Sequence, residues 1–449
     1  MKKNYQTRTS RTGTGRVTPK KPRSDAEAGL VAPGAVDVVM SELTAEIREG
    51  LLAMAVGAGL QVMSAMMAEE VDQAVGPRGK WNAKRTAVRH GTDDGEVTLG
   101  GRRLPVVRPR MRSADGAGEV PLATYECFRS TELLGKMAME RMLAKLSTRR
   151  YAAGLEPVGE AVAQKARGTS KSAVSRRFVT ATETALAELM ASDLSGLDLV
   201  VLMIDGVYFA GHLCVVALGI DITGTKHPLA LEEGDTENAR VVKDLLAALR
   251  SRGLDTSAPI LCVLDGAKAL HAGVRAVFEH PVVQRCQLHK IRNVRDKLPD
   301  ALGSTVEKKM RAAYRSPDPL AAEAALEDLA RQLQKSHPGA AGSLREGLAE
   351  TLTVIRLGVP PTLARTLRST NPIESMIEIC RDHSTTVKRW RDGEMVLRWC
   401  AAGMVEAKKQ FRRVNGHLHL PALRVALDRY ATSGTVTPAD YDVDKEVAA

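Results

Sequence analysis

The stretch LDLVVLMID, residues 197–205, determines how the rest of the chain is interpreted. It is a β-branched apolar run, typical of a buried strand, and it ends on a carboxylate, Asp205. PILCVLD, residues 259–265, repeats the pattern and ends on Asp265, and both aspartates precede a glycine. An ionised group at the end of an apolar strand is costly without a partner or a function. If the two strands are parallel neighbours, both carboxylates meet at the sheet edge where ligands bind.

The surrounding pattern predicts an α/β core with a mixed sheet. HLCVVALGID at 212–221 predicts a strand antiparallel to the first, and KHPLALEE at 226–233 predicts a third. Amphipathic helices are expected within 236–253 and 267–279, with a short strand at 282–286 between the second helix and a third. The predicted order is β-β-β-α-β-α-β-α. Asp221 ends the antiparallel strand, so we expect it at the opposite edge of the sheet.

A converging pair of carboxylates suits hard, oxygen-liganded cations such as Mg²⁺. A third ligand is expected from a later helix, and RSTNPIESMIEIC at 368–380 has capping residues followed by Pro372 near the first helical position. Glu374 lies in the first turn of that helix and Glu378 one turn later on the same face. Position alone barely separates these two glutamates.

QRCQLHKIRN, residues 284–293, places Cys286, His289 and Arg292 at a strand-to-helix junction about twenty residues after Asp265. A structural zinc site needs about four ligands, and no second pair stands out at a suitable spacing. The stretch therefore does not predict a structural zinc site.

The net charge of +11 is concentrated in part of the chain, since residues 1–24 carry eight Lys or Arg and no acid. Such a tail is expected to be disordered, either as a phosphate-contacting arm or as a solubilising segment. Further basic candidates for DNA binding lie in three regions: Arg108 and Arg110; Arg176 and Arg177; Lys388 and Arg389. Thr169 or Ser170 can cap the helix that carries the middle pair, which indicates a helix-turn-helix or an ordinary helix hairpin.

Composition also excludes several classes of protein. The six cysteines are scattered with no Cys-x-x-Cys, which indicates a reducing cytoplasm. Leu51 to Ala68 is uncharged for 18 residues but rich in Ala and Gly, and is expected to be a buried or oligomer-forming helix rather than a membrane span. Aromatic residues make up only 3%, which argues against single-strand binding by base stacking. There is no Gly-x-x-x-x-Gly-Lys loop for ATP.

Taken together, these stretches resemble the mutator-type transposases of bacterial insertion sequences. The similarity is carried by IDGVYFAGHLCVVALGID, CVLDG, QRCQLHKIRNV and STNPIESM, in that order. RHGTDDGEVTLGGRRLPVVRPRMRS and GTSKSAVSRRF are similar to the family's N-terminal DNA-binding region. The resemblance covers about residues 40–425 and implies a DDE catalytic core of the ribonuclease H-like fold, with an all-helical insertion and a mainly helical N-terminal region.

The resemblance implies a triad of Asp205, Asp265 and Glu374 holding two Mg²⁺ or Mn²⁺ ions, because the family's Asn-x-Ile-Glu pattern selects Glu374. The family's Cys-x-x-His signature falls on Cys286 and His289, and the implied fold puts this stretch beside the catalytic edge, with Cys286 packed and His289 and Arg292 as polar neighbours of the active site. A structural histidine that caps the corner is an equally good interpretation of His289. The implied activity is metal-dependent cleavage and joining of double-stranded DNA at terminal inverted repeats and a target. The expected protein is a cytoplasmic, nucleoid-associated homo-oligomer, with a dimer as the expected size, and needs neither ATP nor a membrane.

The predicted organisation has seven parts. They are a disordered basic tail at 1–33, an N-terminal helix and small β region for DNA binding or oligomerisation at 34–115, a helical segment with the candidate helix-turn-helix at 116–195, the first part of the core at 196–299, the helical insertion at 300–365, the last core helices at 366–430 and a C-terminal tail at 431–449.

Two other functions fit parts of the chain. A tyrosine recombinase would use His289 and Arg292 as His-x-x-Arg with Tyr314 as nucleophile, but this leaves both strand-end aspartates unexplained. A DNA-binding regulator without catalysis, including a degenerate transposase, would explain residues 1–195 but not the catalytic pattern.

Overall fold

The computed structural model describes residues 50–158, 160–209, 211–234 and 238–433. The predicted tail at 1–33 lies outside the described residues, as does the predicted C-terminal tail from residue 434 onward. The chain forms two compact units. The first takes the described residues up to Val97 with 105–130, Val158 and Glu160, and the second takes 98–104, 131–157 and the described residues from 161 onward.

The first unit is built from two helices and the greater part of a three-stranded sheet with order β1-β2-β3. Its elements are α1 (Leu51–Val75), β1 (Ala87–Leu99), β2 (Arg102–Ser113), β3 (Glu119–Val120) and α2 (Ala123–Arg129). The helix predicted at Leu51 to Ala68 is present in α1, which continues to Val75. No helix among the described residues is long and apolar enough to cross a membrane, α1 included.

The second unit begins with three helices, which are α3 (Glu132–Leu143), α4 (Glu160–Lys165, whose first residue belongs to the other unit) and α5 (Lys171–Ala191). Ser170 caps α5, because its hydroxyl accepts a hydrogen bond from the Ala173 N–H at 3.3 Å. Phe178 of α5 packs on Trp399 with ring centroids 4.6 Å apart. Trp399 is therefore a core residue.

A mixed five-stranded sheet is the centre of the second unit, with order β6-β5-β4-β7-β8. The strands are β4 (Leu199–Phe209), β5 (His212–Asp221), β6 (Lys226–Gly234), β7 (Ile260–Leu264) and β8 (Pro281–Arg285). The β4–β5 and β5–β6 pairs are antiparallel, and the β4–β7 and β7–β8 pairs are parallel. The predicted mixed sheet and its order of elements are both present.

One strand differs from its prediction. We expected β4 to end at Asp205, but it continues to Phe209 and pairs Asp205 with Val216 of β5. The continuation follows from side-chain alternation, because Val207 and Phe209 are buried while Tyr208 is exposed. Asp205 marks instead the level at which the parallel neighbour β7 stops, after Leu264.

Helices cover both faces of this sheet. On one face lie α6 (Ala239–Ser251) and α7 (Lys268–Val277), which pack on Leu202 and Ile204 of β4. On the other lie α14 (Asn371–Ser384), α15 (Gly393–Gln410) and α16 (Leu420–Ser433), which pack on Val201 and Met203. Both faces are apolar because each is buried, which explains the continuous apolar run at 199–204.

Between β8 and α14 the chain forms only helices and turns. The helices are α8 (Gln287–Arg295), α9 (Asp300–Ala313), α10 (Pro319–Leu333), α11 (Pro338–Arg345), α12 (Thr353–Arg356) and α13 (Pro361–Leu367). Helices α8 to α11 share an aliphatic core of their own. Lys290 of α8 is only 1% exposed and donates hydrogen bonds to the carbonyls of Ser343, at 2.6 Å, and Glu346. This buried cation ties α8, and with it the end of β8, to α11.

Candidate active site

The two strand aspartates lie side by side at one edge of the sheet. The last residue pair between the parallel strands is Ile204 with Leu264, so Asp205 and Asp265 occupy the next level. The Asp205 carboxylate accepts a hydrogen bond from the Gly206 N–H at 2.9 Å, and that of Asp265 accepts one from the Ala267 N–H at 2.8 Å. The parallel pairing that the sequence argument required is present.

Glycine is needed directly after Asp265. Gly266 has φ +105°, in the left-handed region, and a side chain there would collide with the guanidinium of Arg285. The chain therefore turns sharply between β7 and α7 and leaves Asp265 at the edge.

The electrostatics of Asp205 are those of a crowded carboxylate. It is 9% exposed, and burial, together with the negative charges of Asp265 and Glu374, raises its pKa to about 7 against the opposing effect of His289. A buried carboxylate with other carboxylates nearby favours protonation or a bound cation. Three acidic side chains from separate parts of the sequence thus influence one another at this edge.

Glu374 is held on the first turn of α14. Thr370, just before the helix, donates a hydrogen bond from its hydroxyl to the Glu374 carboxylate at 2.6 Å. Glu378 lines the same cavity, but only Glu374 affects the pKa of Asp205. Position in the sequence barely distinguished these two glutamates. In the structure, the charge of Glu374 is the one that acts on Asp205.

Cys286, His289 and Thr370 form a hydrogen-bonded group behind Glu374. The Thr370 hydroxyl lies 3.4 Å from Cys286 Sγ and 3.4 Å from His289 Nδ1, and the Thr370 N–H donates to the same sulfur at 3.5 Å. Nδ1 of His289 lies 3.8 Å from the Glu374 carboxylate. Cys286 was expected only to pack, and the structure gives it polar contacts as well.

The contacts within this group shift the pKa values of Cys286 and His289 in opposite directions. Burial alone would raise the pKa of Cys286, but hydrogen bonds from His289 and Thr370 lower it. The pKa of His289 is raised to about 9, mainly by its hydrogen bond with Cys286. Burial lowers this pKa, whereas the negative charges of Glu374 and Asp205 raise it. His289 is therefore mainly an imidazolium at neutral pH, and offsets part of the negative charge of the edge.

Two sets of donors at this edge have metal-binding chemistry. Asp205, Asp265 and Glu374 offer only oxygens, the donor type that Mg²⁺ prefers. The ligand atoms of Cys286, His289 and Glu374 lie within 4.8 Å of one another. This second set combines a sulfur, a nitrogen and an oxygen donor, and Glu374 belongs to both sets. A hard cation fits the all-oxygen set better, because it prefers oxygen donors to sulfur and nitrogen.

An open cavity of about 780 Å³ gives access to this edge. Asp205 and Glu374 lie in its wall, together with Glu378, Arg381 and other residues along α14. Asp265 is outside the wall. A ligand that enters this cavity can therefore reach two of the three carboxylates.

Arg292 is the one predicted neighbour that the structure does not bring to the site. Its side chain is exposed, and it makes no hydrogen bond or ion pair with any residue that the structure describes.

The predicted DNA-binding residues fall into two groups. In the first unit, Arg108 forms an ion pair with Asp93 at 3.0 Å, and Arg110 donates bidentate hydrogen bonds to the Glu119 carboxylate at 3.0 and 2.7 Å. Their charges are thus partly neutralised by carboxylates of their own unit. In the second unit, Arg177 donates to the Gly168 carbonyl and is half-buried, whereas Arg176 is exposed.

Lys388 and Arg389 are exposed in the segment between α14 and α15. Neither makes a hydrogen bond or ion pair within the described part of the chain. They are the predicted pair most available to a phosphate.

Tyr314 does not suit the role of a nucleophile. It is 6% exposed, and burial raises its pKa to about 12. A recombinase tyrosine must reach a phosphodiester, so this geometry disfavours the recombinase interpretation.

Thr370 is the site residue that the sequence argument missed. It was considered only as a cap, yet its side chain makes no capping hydrogen bond and contacts Cys286, His289 and Glu374 instead. Its spacing of four residues before Glu374 was the available indication, because residues four apart lie on one face of a helix.

The fold and this edge define a mixed α/β protein that gathers three carboxylates at the end of parallel strands. The model of the family described as "Transposase, Mutator family" matches residues 42–414. The chain belongs to this family.

Curated relatives agree with this assignment. The transposase for insertion sequence element ISRM5 of Rhizobium meliloti (strain 1021) is 28% identical over 372 residues, covering 81% of this chain and 90% of the relative. The transposase for insertion sequence element IST2 of Acidithiobacillus ferrooxidans is 30% identical over 178 residues, covering 39% and 59%. That for IS6120 of Mycolicibacterium smegmatis is 30% identical over 204 residues, covering 44% and 62%. The matched parts thus span less than two thirds of the last two relatives.

Proposed function

We propose that this protein is a DNA transposase that cuts and joins DNA with a DDE triad of Asp205, Asp265 and Glu374. The observation that carries the proposal is the convergence of these carboxylates, which raises the pKa of Asp205 to about 7 through burial and mutual repulsion. Membership of the Mutator family supports it. In the same proposal, the five-stranded sheet with α6, α7 and α14 is a ribonuclease H-like core.

The residues at the edge fit two Mg²⁺ or Mn²⁺ ions. Their donors are hard oxygens, and the buried charge of Asp205 is offset within the described residues mainly by His289. Bound ions would supply Lewis acidity at the phosphate and a more acidic water. Asp205 and Asp265 would bind them from adjacent strands, and Glu374 would complete the set from α14.

The chain's own contribution is to place and orient these groups. Thr370 fixes the Glu374 carboxylate, and His289 supplies a positive charge beside it. In the proposed reaction, water attacks a phosphodiester, the bond from phosphorus to the 3′ oxygen breaks, and that oxygen leaves with a proton as a 3′-hydroxyl. The 3′-hydroxyl then attacks a target phosphodiester, forming one phosphorus–oxygen bond as another breaks. No covalent bond to the protein and no ATP is required.

The proposed substrate is double-stranded DNA, namely the terminal inverted repeats of an insertion sequence and a target. Lys388 and Arg389 are suited to phosphate contacts. Arg108 and Arg110 could contact DNA only by exchanging their carboxylate partners. We propose a homo-oligomer, such as a dimer, in which two DNA ends can be held together.

The test is strand cleavage by Asp205→Ala and Asp265→Ala with Mg²⁺ and DNA carrying the ends of the element. Loss of cleavage in both variants, with folding and DNA binding retained, is the expected result. Cleavage retained in both would remove the triad. A parent protein that shifts DNA in a gel but never cleaves with any divalent metal would instead indicate a DNA-binding regulator.

A further inference from the structure

A pocket lined by four arginines lies beside the candidate active site. It has a volume of about 270 Å³ and is enclosed by α8, the end of α9, α13 and the start of α14. Its charged residues are four arginines. Arg311 lies on α9 and Arg315 two residues past its end, while Arg365 lies on α13 and Arg368 directly follows it. Among the residues that the structure describes, no carboxylate lines the pocket. The function proposed above makes no use of this surface.

The positive charge of the pocket is largely uncompensated. Arg311 is paired with Glu307 at 2.8 Å. Within the described ranges, Arg315, Arg365 and Arg368 have no carboxylate within ion-pair distance and donate no side-chain hydrogen bond. Burial lowers the pKa of Arg368, and the charges of Arg315, Arg365 and Arg311 lower it further. Each guanidinium thus repels the others, and a bound anion would relieve that repulsion.

The chemistry of the pocket suits a phosphate. Guanidinium groups donate bidentate hydrogen bonds to phosphate oxygens. Gln287, Ser369 and Asn371 add uncharged polar groups to the wall of the pocket. The volume lies just under the about 300–1,000 Å³ of pockets that enclose drug-sized ligands. It is large enough for a phosphate with its sugar and too small for a duplex.

The pocket is connected directly to the residues that hold Glu374. The carbonyl of Arg368 accepts a hydrogen bond from the Gln287 N–H at 3.0 Å. The next residues along the chain are Ser369, which lines the pocket, and Thr370, which binds Glu374. A phosphate in the pocket would therefore be a neighbour of the one that is cut.

We propose that this four-arginine pocket binds a backbone phosphate of the DNA strand that enters the carboxylate edge. The inference rests on the proposed function for the identity of the strand. It adds a phosphate site that the basic runs of the sequence did not indicate, because its arginines come from two separate helices. The phosphate belongs either to an internal phosphodiester or to a 5′ end, and the experiment separates the two.

The test compares the full-length chain with the double variant Arg315→Ala/Arg365→Ala. Both side chains are exposed, so the substitutions should leave the fold intact. Binding to a fluorescent duplex is measured across a range of salt concentrations. We expect the slope of log affinity against log salt to fall by about 0.9 for each phosphate that the variant no longer binds, and affinity to weaken on the order of tenfold at about 0.15 M salt.

The matched control is Arg331→Ala/Lys335→Ala, which removes the same charge from exposed positions at the end of α10, outside the pocket. The control should keep the parental slope. A folded Arg315→Ala/Arg365→Ala variant that binds DNA with the parental affinity and slope would overturn the proposal. Equal loss of binding to polyglutamate would also overturn it, since the pocket would then fit an acidic protein segment.

Two further arms complete the design. Duplexes with 5′-phosphate or 5′-hydroxyl ends identify the ligand, because a defect confined to the phosphorylated ends indicates a terminal phosphate and a defect in both indicates an internal one. Cleavage by Asp205→Ala is measured in parallel. If Asp205→Ala cleaves normally while Arg315→Ala/Arg365→Ala binds DNA poorly, the triad is wrong and the phosphate pocket stands. If Asp205→Ala loses cleavage while Arg315→Ala/Arg365→Ala binds DNA normally, only the phosphate pocket is wrong.

Discussion

The two ends of the five-stranded sheet carry aspartates with opposite surroundings. Asp205 lies at the level where β7 stops, and burial with neighbouring carboxylates raises its pKa to about 7. Asp221 lies at the other end, paired in register with Leu199 at the start of β4. Burial acts against the Asp221 carboxylate too, but hydrogen bonds with His227 and Thr223 lower its pKa.

The difference shows what separates a candidate catalytic carboxylate from a structural one. Asp221 accepts hydrogen bonds from the Thr223 and Thr225 N–H groups at 2.9 and 3.0 Å and contacts His227 at 2.8 Å. Asp205 has the Gly206 N–H and two other acids. A buried acid without enough donors depends on a cation or a proton, whereas one with donors stabilises a turn.

The largest expected effect distinguishes the two glutamates of α14. Glu374→Gln should lose strand cleavage by more than the about 10–100-fold that changes in outer-shell partners cost, because it removes a proposed metal ligand. Glu378→Gln, one turn away in the same cavity wall, is the matched control and should keep most activity. Equal loss in both variants, measured by cleavage with Mg²⁺, would contradict the assignment of Glu374.

Thr370→Val should have the next largest effect. It removes the 2.6 Å hydrogen bond to Glu374 with little change in volume, and an about 10–100-fold loss of cleavage is expected. Thr370→Ser keeps the hydroxyl and should restore most activity. A raised requirement for Mg²⁺ in the valine variant is the readout that a merely structural role would not alter.

Asp205 and Asp221 should make the free energy of unfolding depend on pH in opposite directions. Because the pKa of Asp205 is raised on folding, the native state binds more protons, and the free energy of unfolding should fall as pH rises from about 4 to about 7. Asp205→Asn should remove that decline, worth on the order of a few kcal/mol. Denaturant unfolding in EDTA checks this, and an unchanged profile in the variant would contradict the burial argument.

Asp221→Asn should have a smaller effect, of the opposite kind. Because the pKa of Asp221 is lowered on folding, its contribution is present at neutral pH and disappears as pH falls through the folded pKa. The variant should lose roughly 1–3 kcal/mol at pH 7 while its cleavage remains near that of the parent. If Asp221→Asn lost as much cleavage activity as an Asp205 variant, the distinction between a structural and a catalytic aspartate would be wrong.

Much of this fold could be predicted from local patterns in the sequence. The strand at 212–221 was predicted to the residue, and the mixed sheet followed from apolar runs and their order. The end of β4 was wrong, because the run to Asp205 looked complete and the short alternation up to Phe209 was not weighed. The two aspartates could be paired because they followed similar strands.

Contacts between distant residues were harder to predict. The bond from Thr370 to Glu374 depends on a hydroxyl turning away from its usual capping role. The charge of Arg110 was visible in the sequence, but its neutralisation by Glu119 depends on the pairing of β2 with β3. Basic runs therefore reveal where charge is abundant, whereas availability to phosphate is decided by the carboxylates that the fold brings near.

The most direct test of the central claim is to count the Mn²⁺ ions that the protein binds, by electron paramagnetic resonance titration in the presence of cleavable DNA. Parent and Asp221→Asn should bind two ions per chain, and Asp205→Asn and Asp265→Asn should each bind fewer and lose cleavage in the same preparations. Identical counts in all four proteins would contradict the account, because the carboxylates at the β4–β7 edge would then hold no metal.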